Sequence, residues 1–201
     1  MFFNADQIFD QRSQSVFGIE PFEPAHLKSA SYVLRLGNKV RRWIRQDTPI
    51  DLMTEDCAAH SLGSVETVSE IRVHRGDLLL VSSYESLWLP NSLAGFLSTT
   101  SHMSRAGISV TCDSQLVSPG YGQGAPSELT FEIVCHNPSP VILHYGMPVC
   151  HLMLAPVSPL KRGLALGRSI YEKQPVPSGP SLFEEMPQIG KAKLPHALKS
   201  K

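Results

Sequence analysis

The chain of 201 residues carries 18 Lys and Arg against 18 Asp and Glu, is 42% hydrophobic and 18% charged, and so describes one compact domain rather than a tail or a fibre. Zero net charge excludes a protein whose main business is coating nucleic acid or an anionic membrane, since both need a basic excess; an anionic ligand must be met by a few placed groups. Met1-Phe2-Phe3-Asn4 has no basic segment ahead of an apolar one, no window reaches the roughly 18 apolar residues of a membrane helix, and Cys57, Cys112, Cys135 and Cys150 are widely spaced. The expectation is an unexported, cytoplasmic protein with reduced, buried thiols.

Asn4 and Asp6 ahead of Ile8 and Phe9 predict a short capped helix ending near Ser15, after which Pro21 and Pro24 mark an extended connection. Residues 32–36, 39–44, 67–74, 77–82, 86–89, 108–112, 129–135, 141–144 and 149–154 are short runs rich in Val, Ile, Leu and Thr, bounded by turn residues. Many short strands at close spacing predict a mainly β domain, a barrel or a sandwich, over 1–160. Residues 91–107, with Ser101, Met103 and Arg105, read as a loop and a helical turn. Beyond Pro156 prolines are scattered through 161–201, an extended C-terminal arm whose basic end, with Lys191, Lys193, Lys199 and Lys201, reads as a solvated tail.

Zinc deamination chemistry is the first class to test, and its H-x-E and P-C-x-x-C elements are absent. Cys135-His136 and Cys150-His151 are adjacent pairs, which a strand points to opposite faces. Arg75-Gly76-Asp77 reads as a hairpin turn, and the Gly-rich and Ser-centred signatures of phosphate-binding loops, dinucleotide sites and nucleophile elbows do not occur. Two features remain. Ser101 and Arg105, four apart, would share one side of a helical turn, a geometry suited to phosphate oxygens. Glu132 falls inside the apolar run 129–134, where a carboxylate is costly unless paired, hydrogen-bonded or put to use, a strand edge open to solvent being the plainer reading.

The order of segments resembles the dCTP deaminase branch of the dUTPase-like superfamily: Ile19-Glu20-Pro21; Ala30 through Lys39; Leu87-Trp88-Leu89-Pro90 through Phe96-Leu97; Ser101 to Gly107; Ser118-Pro119-Gly120-Tyr121; Phe131-Glu132-Ile133; and Tyr145-Gly146-Met147. Tyr171 through Ser178 is similar to that branch's ligand-covering tail. The resemblance implies a distorted β-barrel of the dUTPase-like type with a short N-terminal helix, assembled as a homotrimer with sites at subunit interfaces. It also implies zinc-independent hydrolysis of dCTP to dUTP and ammonia, with Mg2+ bound through the nucleotide's phosphates. By the same resemblance Glu132 activates water at C4 of cytosine, Ser101 and Arg105 are the essential serine and arginine, and Asp113, Ser114 and Gln115 fall at the base-recognition segment. Tyr121 is the aromatic residue after Pro-Gly, and Tyr171 and Gln174 belong to the tail.

The chain departs from the family pattern at Ser98-Thr99-Thr100, where Asp-Gly-Arg is usual, and at Leu116 and Ile170, also at usually cationic positions. His102 replaces a second serine, Val33 an aspartate, and 122–126 resembles a small insertion. Two further readings stand beside deamination. A dUTP diphosphatase ordinarily carries its aspartate where Ser118 stands here. A homologue without catalysis, binding a nucleotide or a partner, would suit the missing cations.

Overall fold

In a computed structural model, described here for residues 1–52, 61–158 and 176–180, Asn4 caps helix α1 (Ala5–Ser13). Its side chain accepts from the Gln7 amide at 2.9 Å while its own amide donates to the Gln7 side chain at 3.0 Å, so two otherwise orphaned groups satisfy each other. Ile8, fully buried, pins the helix to the β structure that follows.

The strands are β1 (Gly18–Glu20), β2 (Leu27–Lys28), β3 (Ser31–Arg42), β4 (Glu66–Thr67), β5 (Glu70–Val73), β6 (Leu78–Trp88), β7 (Leu93–Thr99), β8 (Ile108–Ser109), β9 (Leu116–Val117), β10 (Ser127–Cys135), β11 (Val141–His144) and β12 (Pro148–Pro156). Ten form one curled sheet in the order β8-β10-β6-β3-β12-β7-β9, with β1 on β6 and β2 and β4 on β3; β5 and β11 pair separately. This is the distorted barrel expected. No helix among the described residues is long and apolar enough to cross a membrane.

Several sequence expectations change. Runs 32–36 and 39–44 are one strand, β3, because Gly37 is not a turn. A Cβ there would collide with the Ser82 hydroxyl and the Ser82 and Ser83 carbonyls, so its absence lets β3 run tight against β6 where the register shifts between Leu36 and Val40. Runs 77–82 and 86–89 likewise merge into β6. Residues 91–107 contain a strand, β7, as well as the helical turn α2 (Ser101–Arg105): β7 pairs with β12 from Leu93↔Pro156 to Thr99↔Cys150, a tertiary pairing that its small residues do not advertise. The Arg75–Asp77 segment turns, with Asp77 N–H donating to the His74 carbonyl at 3.0 Å, but β5 and β6 do not pair with each other.

The core is the inner face of the curl, including Tyr32, Leu34, Leu36, Val81, Phe131 and Ile133. Arg35 is buried with it. Its Nε lies 2.6 Å from Glu85, a fully buried carboxylate that also accepts from the Arg35 amide at 2.9 Å, while Nη1 lies 2.6 Å from Glu23 and the guanidinium packs over Tyr84. Cys135 and Cys150 are buried as expected; Cys112 is exposed, at φ 40°, because the turn that carries it faces solvent; Cys57 lies outside the described residues.

Candidate active site

Strand β10 alternates strictly between core and half-buried positions. The period of two sends Phe131 and Ile133 inward and turns Glu128, Thr130 and Glu132 to the other face, where all three line a cleft of about 440 Å³. Leu80, paired with Glu132 across β6, and Leu78 continue the floor; Trp43, Leu97, Leu116, Val117 and Leu129 add apolar walls; and Ser114, Ser118, Tyr121 and Ser178 add hydroxyls.

Burial among these apolar groups pushes the Glu132 carboxyl up to about 7, only partly countered by its own backbone amide. No ion pair to Glu132 forms among the described residues. Neighbouring Glu128 differs: both its oxygens accept from Lys39 Nζ at 3.0 Å. Two carboxylates four strand residues apart, one neutralised by a cation and the other wrapped in apolar walls, therefore carry different chemistry. Cys150 on β12 is pushed up to about 12, first by burial and then by the charge of Glu132, and stays an unreactive thiol.

The turn leading into β9 is closed by Ser114 N–H donating to the Thr111 carbonyl at 2.8 Å. Cys112 and Asp113 hold φ of 40° and 71° there, left-handed values that cost on the order of 1 kcal/mol or more and persist only where the surroundings impose them. Thr111 bridges to Glu132, which ties this turn to β10. Tyr121 is fixed by its hydroxyl, donating to the Glu128 carbonyl at 2.7 Å, and by its own carbonyl, accepting from Leu89 N–H at 2.7 Å.

Glu132, Ser114 and Tyr121 thus share one cleft, with Asp113 and Gln115 flanking Ser114 outside its lining. Ser101 and Arg105 occupy the first and last positions of α2, as the four-residue spacing predicts, but both are exposed and neither lines the cleft of its own chain. Thr100, at a usually cationic position, instead caps α2 by accepting from Met103 N–H. Leu116, at another, is 67% exposed on the cleft lip. Ile170, Tyr171 and Gln174 lie outside the described residues. Sequence reasoning missed Thr130 and Glu128, which the period of two could have found by stepping back from Glu132. It also missed Trp43 and Lys39, which only the register of β3 brings near.

The architecture is that of a mainly β, curled half-barrel with a cleft along β10. The family model described as dCTP deaminase-like matches residues 2–157, and the chain belongs to that family. A dUMP-forming dCTP deaminase of Methanospirillum hungatei is 26% identical over 147 residues, covering 73% of this chain and 77% of that one. One from Corynebacterium kroppenstedtii is 30% identical over 138 residues, 68% and 72% of the two chains. Among solved structures, the 2'-deoxycytidine 5'-triphosphate deaminase of Agrobacterium tumefaciens superposes with a TM-score of 0.58 at 18% identity, covering 76% of this chain; this chain spans 47% of that one's length, and the likeness speaks to fold.

Proposed function

We propose that the protein deaminates dCTP hydrolytically, with Glu132 as the general base and acid. The observation that carries this reading is a carboxyl held near 7 in an apolar cleft beside placed hydroxyls. A group half ionised near neutrality takes a proton from water as its oxygen bonds to C4, delivers that proton to N3, then moves the proton of the new C4 hydroxyl to the exocyclic amine. The C4–N bond breaks, ammonia leaves and the carbonyl of uracil remains. Low polarity around Glu132 favours these transfers by keeping the carboxyl close to the point of balance. Ser114 and Tyr121 flank the base, and the tail residues Tyr171 and Gln174 would cover it.

Ser101 and Arg105 complete the site from a neighbouring copy, which is why a homotrimer belongs to this reading: they are exposed on α2 and absent from the lining of their own cleft. Magnesium travels with the nucleotide's phosphates, and the protein's part in this reading is to bind the nucleotide that carries it.

The names of the relatives favour a second product. Release of dUMP consumes two waters per dCTP, one at C4 and one at the phosphate chain, and yields ammonia and pyrophosphate. A product-resolved assay across dCTP, dCMP, CTP and dUTP with magnesium decides between them: dUTP with ammonia supports simple deamination, and dUMP with pyrophosphate the coupled reaction. Ammonia from none of the cytosine nucleotides sinks the deaminase reading; pyrophosphate from dUTP then leaves a dUTP diphosphatase, and its absence a binding protein.

A further inference from the structure

We propose that Arg41 is a positioning residue that latches the segment 177–180 across the mouth of the cleft, giving the site a wall drawn from the C-terminal part of the chain. The register carries the inference. Arg41 on β3 pairs with Leu80 on β6, and Leu80 pairs with Glu132 on β10, so the three stand in one row across the sheet. Directly paired residues of antiparallel strands point to the same face, and Leu80 and Glu132 both line the cleft. Arg41 therefore emerges on the cleft side, two strands from the catalytic carboxyl.

There, among the described residues, its guanidinium ends on backbone carbonyls. Nε donates to Gly63 at 2.8 Å, Nη2 to Leu62 at 3.4 Å, and Nη1 to Pro177 at 3.4 Å. Two of these bonds tie β3 to its neighbouring loop, and the third reaches 136 residues along the chain to the one buried residue of the 176–180 segment, Pro177. The next three residues, Ser178, Gly179 and Pro180, are lining residues of the cleft, facing Trp43, Leu78 and Leu80. The 2.8 Å bond to Gly63 seats the guanidinium on the loop, and the bond to Pro177, at 3.4 Å, is long enough to be given up readily, which suits a wall that must lift for substrate to enter. This inference rests on the deaminase reading for its consequence in turnover, but the latch itself is a property of the chain without substrate.

The test therefore has two arms. In full-length protein bearing S178C, R41Q and R41K are compared with Arg41 for the alkylation rate of residue 178, read by peptide mass spectrometry, with buried Cys135 as the internal fold reporter. The expected result is at least tenfold faster modification of residue 178 in R41Q and a smaller rise in R41K, with Cys135 still protected. In the otherwise unmodified chain, KM for dCTP rises about tenfold in R41Q, the loss of one charge-assisted hydrogen bond, while kcat stays within twofold because Glu132 is untouched. An unchanged rate at residue 178 overturns the latch. Equal acceleration at Cys135 also overturns it, because Arg41 then supports the barrel through Gly63 and Leu62 and not the strap. Changed labelling with no turnover of any cytosine nucleotide keeps the latch and removes the deaminase.

Discussion

Glu132 concentrates both the cost and the use of a buried charge. Its folded-state pKa of about 7 stands above the 4.5 of the free side chain, so the folded state holds more protons than the unfolded one between those values. Stability therefore falls as pH rises through that window, by on the order of 2–3 kcal/mol once the carboxyl's contact with the open cleft is allowed for. In E132Q that dependence should vanish: urea midpoints of wild type and E132Q are expected to coincide near pH 4.5 and to favour E132Q at pH 8, while kcat for deamination falls by roughly 10³-fold or more in the variant. Glu85 is fully buried but paired. Removing it leaves Arg35 buried beside an aromatic ring with only half-exposed Glu23 as counter-ion, so E85A should lose about 3–5 kcal/mol by chemical denaturation. Of these residues, Glu132 was legible in the sequence because a carboxylate interrupts an apolar run. Arg35 and Glu85 were not, since the 50 residues between them are closed only by the pairing of β3 with β6.

At the scale of elements, the same distinction between local and distant information separates β10 from β7. Strand β10 is marked by its apolar run, and its alternation carries the cleft face as well, although only Glu132 of that face was picked out from the sequence. Strand β7, Leu-Ala-Gly-Phe-Leu-Ser-Thr, has little to mark it; it is a strand because β12 offers seven consecutive partners. Gly37 shows the converse error, a residue read as punctuation that is in fact a point of contact. G37A is expected to destabilise the protein by about 1–3 kcal/mol in thermal or urea unfolding, the cost of forcing β3 away from the Ser82 and Ser83 carbonyls, with a larger loss for G37V. An unaltered midpoint would mean that the register shift beside Gly37 absorbs the methyl group.

For the whole molecule, the order of segments carried more than any one motif, and it led to the family and to the barrel. It implied sites at subunit interfaces without saying which copy would supply which side chain. Within one chain Glu132 and Tyr121 face a cleft that Ser101 and Arg105 do not line, and a sequence has no way to say which copy supplies a side chain. If neighbouring copies share each site, mixing inactive E132Q with inactive R105A under conditions that allow subunits to exchange should restore activity, approaching about one quarter of wild type for random assembly. No restoration would mean that each chain's Arg105 serves its own Glu132. The large sheet itself limits how copies can meet. Each strand at its margins, β1, β2, β4, β8 and β9, is only two or three residues long. Such margins present almost no run of free amides and carbonyls for a foreign strand to copy. Growth of the sheet from molecule to molecule, the usual route to fibres for an all-β protein, finds only short templates in these marginal strands, and the exposed side chains of Phe96 and Leu116 offer a different kind of contact.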